Sequence, residues 1–184
     1  KRQGAWNPSS KARRITPQPP YTSANMRDRK PARSASSAPW ALLAVLAALV
    51  FVAYVRLRVA DVPLERDEGE YAYAGQLILQ GVPPYELAYN MKFPGTYYAY
   101  AAILALFGHT PWGIHVGLML VNAASILFVF AIGRRLLGRF AGAVAAVSFS
   151  ILSVDRLVYG VFAHATHFVV LFAMAGLLLL LRAI

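Results

Sequence analysis

Apolar and charged positions in this chain fall into long blocks. Charge-free runs cover Ser34–Val55, Pro111–Gly133, Phe140–Val154 and Leu157–Leu181. A helix needs about 20 apolar residues to cross a hydrocarbon core. The second and fourth runs meet that length. In the first, the strongly apolar part is Trp40–Val55, and Arg56 and Arg58 are placed to snorkel toward a headgroup layer. The third is shorter and exits on Asp155 and Arg156. The pattern predicts an all-α integral membrane protein, a multi-pass bundle with spans at about 38–58, 111–133, 140–157 and 160–181.

The stretch 61–110 between the first two spans has a different texture. Glu68–Gln80 reads as a short helix, with Tyr71, Ala74, Gly75 and Ile78 sharing one face at spacings of three and four. Gly81 is a natural stop for it, and Pro83-Pro84 forbids continuation. Phe93–Phe107 is apolar but short, with Tyr97, Tyr98 and Tyr100 near its start. Tyr favours the membrane–water interface, so 93–108 is expected to lie on the surface as a second interfacial helix.

Charge orients these elements. The 184 residues are 58% hydrophobic, with mean hydropathy +0.50 and net charge +10. Nine Lys or Arg and one acid, Asp28, lie in residues 1–39 among many Ser and Pro. Residues 1–37 are therefore expected to form a disordered basic cytoplasmic tail touching anionic lipid, with no nucleic-acid partner. The positive-inside rule then sends the first span outward and makes 61–110 an outer loop. Arg134, Arg135, Arg139 and Arg182 return to the cytoplasmic side, and residues 38–184 form the membrane region. There is no cysteine, which excludes disulfides and thiol chemistry. The apolar, Leu-rich stretch reaching Ile184 suggests a chain that continues in the natural product.

Candidate chemistry is concentrated in the outer loop. Six of the eight acids lie between Asp61 and Glu86, around Leu64-Glu65-Arg66-Asp67-Glu68-Gly69-Glu70-Tyr71. Adjacent acids ahead of a helix have a structural reading. Asp67 suits an N-cap, Glu70 would complete a capping box, and acids suit the positive end of the helix dipole. They also have a chemical reading, as a general base or metal ligand at the membrane surface. Lys92 is the one Lys beyond residue 30, and the positive-inside rule does not call for it there.

Several motifs carry a resemblance. Asp67-Glu68-Gly69-Glu70-Tyr71-Ala72-Tyr73-Ala74, Gly81-Val82-Pro83-Pro84-Tyr85, Lys92-Phe93-Pro94-Gly95, Leu106-Phe107-Gly108 and Gly133-Arg134-Arg135-Leu136-Leu137-Gly138 follow in order. Together they resemble C-type glycosyltransferases, closest to bacterial relatives of protein O-mannosyltransferases and of aminoarabinose and rhizobial lipopolysaccharide-core transferases. The resemblance implies an enzyme of a bacterial plasma membrane. It would move a sugar from a polyprenyl-phosphate donor to an acceptor hydroxyl on a glycan, lipid or protein at the outer face, with inversion. It makes Asp67 the catalytic base, lets Glu68 position the acceptor or help bind a cation, and gives Lys92 the donor phosphate. Phe93 intervenes between Lys92 and Pro94, and Met91 stands where some relatives carry an acid associated with metal. No cofactor is implied with certainty, a divalent cation being one option.

The remaining candidates are substrate-binding. Asp155 and Arg156 sit at the outer end of the third span, as an exposed pair or as a pocket border. His164 and His167 share a face near the start of the fourth, where two imidazoles suit hydrogen bonding or, with further ligands, a metal. Tyr71 is a further substrate-binding candidate, and Tyr85, Tyr89, Tyr97 and Tyr98 offer rings for sugar stacking, with interfacial anchoring as the competing reading. Two other functions fit a polytopic chain, a transporter or flippase for a lipid-linked substrate and a non-catalytic assembly subunit. A transporter would keep its ionisable residues near the midplane, whereas here they cluster at span ends.

Overall fold

A computed structural model describes residues 38–183; the basic segment 1–37 lies outside the described residues. Six α-helices follow in order: α1 Ala38–Arg58, α2 Arg66–Leu79, α3 Gly95–Phe107, α4 Pro111–Leu137, α5 Arg139–Leu152 and α6 Ala165–Ala183. A 3-10 turn at Arg156–Val158 interrupts the α5–α6 connection. There is no strand among the described residues, and α1, α4 and α6 are long and apolar enough to cross a membrane.

Local chemistry accounts for most helix ends. Thr110 caps α4 by accepting from Gly113 N at 3.1 Å, with Pro111 in the first turn. The helix runs past the expected end at 133 to Leu137. Arg134 and Arg135 occupy its last turn, where cations favour the carbonyl end of the dipole. After α2, Gly81 takes φ +86°, and Val82 N donates to Leu77 O at 2.9 Å, closing the helix as expected.

Two packed layers result. The first joins α2, α3 and the start of α4 through Tyr71, Tyr97, Tyr100, Leu104, Ile114 and Leu118, with Phe168 of α6 against them. Close contact of α2 and α3 depends on Gly75, where a Cβ would lie 2.9 Å from Ala101 N. The second layer packs Val45 and Val52 of α1, Ile126 and Phe130 of α4, and Ala143 and Ala146 of α5. The opposite face of α1 exposes Leu42, Leu43, Leu46 and Val50, as a lipid-facing helix should.

The third predicted span is the clearest departure. The Trp40 and Phe140 rings meet at 5.8 Å, and Arg56 bonds the carbonyl of Ser153, so α5 runs alongside α1 in the same direction. It does so with 14 residues against 21, about 21 Å of helix against about 31 Å. The helix expected over 140–157 ends at Leu152, and the one expected from 160 begins at Ala165. Ser153–His164 is irregular backbone except for the 3-10 turn, lying level with the end of α1.

Such backbone is tolerated beside lipid only when its polar groups find partners inside the protein. Arg56 supplies them. Its Nη2 donates to Ser153 O at 3.0 Å and Gly160 O at 2.9 Å, and its Nη1 reaches Val161 O at 3.5 Å. The residue is 2% exposed. The snorkelling expected of Arg56 is thus replaced by an inward-pointing guanidinium, because the short α5 leaves carbonyls that need a donor there.

Candidate active site on the α2–α3 layer

The helix start that carries the acids is capped two residues earlier than the motif suggested. Glu65, not Asp67, is the N-cap. Its Oε2 accepts from Asp67 N at 2.8 Å, while Glu68 Oε2 accepts from Glu65 N at 3.0 Å, a reciprocal capping box. Glu70 instead accepts from Asn90 Nδ2. With capping assigned to Glu65 and Glu68, the side chain of Asp67 is free to face outward.

Asp67 and Lys92 meet there. Lys92 Nζ lies 2.9 Å from Asp67 Oδ2, donates to the Tyr71 hydroxyl, and sits 4.6 Å from the centre of the Tyr71 ring. Tyr71 Oη is 3.5 Å from the same Asp67 oxygen. Tyr85 holds the lysine segment by donating from its hydroxyl to Lys92 O at 2.6 Å, from a backbone at φ +75°. The hydrogen bond from Lys92 is the chief reason the Asp67 carboxyl lies below its usual range, with burial opposing it. For Lys92, desolvation works against the charge, but Tyr71 and Asp67 outweigh it and raise its pKa. Both groups are charged at neutral pH.

Glu68, next in sequence, faces the opposite way. It is fully buried, and its Oε1 accepts from Ala163 N and lies 3.3 Å from His115 Nε2. Burial raises its pKa. The His115 imidazole and the N–H groups of Ala163 and Glu65 together outweigh burial and keep the carboxyl below its ordinary value. His115 Nδ1 in turn bonds Ala60 O at 2.8 Å. Tyr100 donates to Ala163 O at 2.7 Å, so α2 and α3 grip both polar groups of one residue in the α5–α6 connection.

The next residue, His164, is delivered to the site. Ligand atoms of Glu65, Asp67 and His164 lie within 4.8 Å of one another, an oxygen and nitrogen donor set that fits a divalent transition metal better than magnesium. His164 Nε2 is buried without a hydrogen-bond partner. His167 is elsewhere, lining a cavity of about 220 Å³ with Ser125, Ser153 and Thr166. Asp155 caps the 3-10 turn by accepting from Leu157 N at 2.7 Å, and Arg156 lines a separate cavity of about 780 Å³ with Val62 and Tyr159. The structure therefore brings together Asp67, Lys92, Tyr71, Tyr85 and His164 and leaves Asp155, Arg156 and His167 apart from them. Among the other tyrosines, Tyr97 is buried in the core, while Tyr89 and Tyr98 are exposed.

Sequence reasoning missed Glu65, Arg56, His115 and Tyr100 as supports. The signal for His115 was present, since an imidazole in the first turns of an apolar span needs a polar partner.

The family model for dolichyl-phosphate-mannose-protein mannosyltransferases matches residues 91–184, about half of the chain. The chain belongs to this family. No curated protein and no solved structure matches it. Membership makes this mannosyltransferase-family chain a membrane glycosyltransferase in general terms, in keeping with its three membrane-length helices. The matched region begins beside Lys92 and carries α3 to α6. Asp67 and Glu68 precede it.

Proposed function

We propose that this mannosyltransferase-family protein transfers a sugar from a polyprenyl-phosphate donor to an acceptor hydroxyl at the outer face of a bacterial plasma membrane, with Asp67 as general base. The observation that carries the reading is the Asp67–Lys92 pair at 2.9 Å, held by Tyr71 and Tyr85. A hydroxyl is a poor nucleophile until a base relieves it of its proton. A phosphate leaving group gains charge as the glycosidic bond breaks, and a nearby ammonium stabilises that charge. One cluster offers both groups.

In this mechanism the acceptor oxygen gives its proton to Asp67 and attacks the anomeric carbon. The bond from that carbon to the phosphate oxygen breaks, and the electron pair leaves on the phosphate, facing Lys92. Attack opposite the phosphate inverts the centre. His164 lies close enough to Asp67 to hydrogen-bond donor or acceptor. Glu68 acts at one remove, holding Ala163 and hence His164 in place. A cation at Glu65, Asp67 and His164 is not needed for these steps, because Lys92 already supplies positive charge at Asp67.

The test is Asp67→Asn in the full-length protein. Sugar transfer from a polyprenyl-phosphate donor should fall on the order of a thousandfold, with membrane insertion and thermal stability retained. Normal transfer by this variant would sink the assignment.

A further inference from the structure

Arg56 is a charged side chain at the end of an apolar span, almost wholly buried, yet it forms no ion pair with a carboxylate among the described residues. Isolated burial of a cation costs several kcal/mol. The guanidinium instead lies against three backbone carbonyls, those of Ser153, Gly160 and Val161, all in the irregular segment between α5 and α6. Its Nε is buried without a partner. The planar fork of an arginine suits this task, since it presents several donors in a fixed arrangement to acceptors about 3 Å away.

The segment is held from both ends. The single proton of the Ser153 hydroxyl is shared between Asn122 Oδ1 at 3.1 Å and Ser150 O at 2.8 Å, which fixes the exit from α5. Arg56 then closes the loop by gripping residues 153 and 160 with one nitrogen. Gly160 lies so close to Ser153 in this clamp that a Cβ on it would lie 2.5 Å from Ser153 O. Three residues beyond Gly160, Glu68 and Tyr100 take over at Ala163. The residue after that is His164, beside Asp67.

We propose that Arg56 is a positioning residue for glycosyl transfer. It sets the path of Ser153–His164 so that His164 reaches the Asp67–Lys92 pair, while never touching substrate itself. This inference rests on the assignment of the reaction to Asp67. It adds that the reacting geometry depends on a guanidinium in the first span.

Arg56→Leu is the decisive variant. It makes α1 more apolar, so failed insertion does not explain a defect. Residues 1–184 contain no cysteine, so, with any cysteine outside them replaced, spin labels can be placed on cysteines at the exposed positions Leu157 and Tyr98, one in the clamped segment and one on α3. In the labelled full-length protein, the parent should show a narrow distance distribution, and Arg56→Leu a broad or shifted one. The kcat of Arg56→Leu should drop on the order of a hundredfold, with donor KM nearly unchanged. Arg56→Lys should recover part of both, because an ammonium reaches some of the carbonyls.

An unchanged distribution together with unchanged kcat would overturn the proposal. So would a broadened distribution with normal transfer, or lost transfer with an unmoved loop, which would place Arg56 in contact with substrate. The distance measurement needs no transfer, so failure of the Asp67 assignment shows separately, as normal activity of Asp67→Asn.

Discussion

Replacing Glu68 by Gln separates the two neighbouring carboxylates most sharply. Gln matches Glu in size and occupies the same rotamers, so the perturbation is one of charge and of one acceptor turned donor. In the native fold the carboxylate accepts from Ala163 N and Glu65 N and lies 3.3 Å from His115 Nε2, with no exposed surface. An amide oxygen can keep one of the two N–H groups. The amide NH₂ then confronts the other, and a stranded buried donor costs about 1–3 kcal/mol. Losing the charge 3.3 Å from His115 Nε2 belongs to the same penalty, since breaking a buried pair by removing one partner costs about 3–5 kcal/mol in all. The expected loss is therefore about 3–5 kcal/mol, equivalent to a fall in Tm on the order of 10 °C. Thermal unfolding of the detergent-purified protein, followed by fluorescence and by retention in solution, reads this out. Asp67→Asn should leave the same curve nearly in place, since Asp67 lies at the surface of the layer. A Glu68→Gln protein that melts like the parent but has lost transfer would refute the reasoning, and would make Glu68 a reacting group.

Other variants probe the pair and the layer beneath it. Lys92→Met removes the hydrogen bond that chiefly depresses the Asp67 carboxyl. A depressed acid is charged, and so active as a base, down to a pH below the ordinary carboxylate range, and it loses activity as pH falls through its folded pKa. The acidic limb of kcat/KM should therefore move to higher pH in Lys92→Met, alongside a loss of kcat; an unmoved limb would detach the limb from Asp67. Gly75→Val inserts a side chain whose Cβ would lie 2.9 Å from Ala101 N, against backbone that cannot swing aside. Separation of α2 from α3 should lower stability by about 1–3 kcal/mol and reduce transfer, whereas Gly69→Ala, which meets open space, should do neither.

Much of the bundle was legible from block hydropathy because the spans of α1, α4 and α6 are set by length and apolarity alone. The helix α2 was legible from face periodicity and α3 from its apolar run, and Gly81 marked its turn, but Tyr97 and Tyr100, expected to favour an interface, are packed in the core. Two of the failures share a cause. The extent of α5 and the fate of Arg56 depend on partners about a hundred residues apart, such as Arg56 with Ser153 and Gly160, and no local pattern encodes them. The shift of the cap from Asp67 to Glu65 has a different origin. Glu is a poor N-cap by local preference, and it wins here because a start at Arg66 turns Glu68 into the core toward His115 and Ala163. Of the candidate site, the Asp67–Lys92 meeting was legible as chemistry, an acid and an isolated lysine in one loop. The separation of His164 from His167 was not, since both lie on one helical face only if the helix begins before His164, and α6 begins at Ala165.

The carbonyl cage around Arg56 also bears on how the chain is made. Its acceptors lie 97, 104 and 105 residues further along. At about 5–20 residues per second of synthesis, the arginine waits on the order of 5–20 s for them. During that interval its only polar surroundings are water and headgroups at the membrane edge. The cage around Arg56 can therefore close only after α5 and the segment that follows it have been made. On the proposal made above, the contact that buries Arg56 also orders the loop beside Asp67 and Lys92, so a chain that stops before it would be inactive.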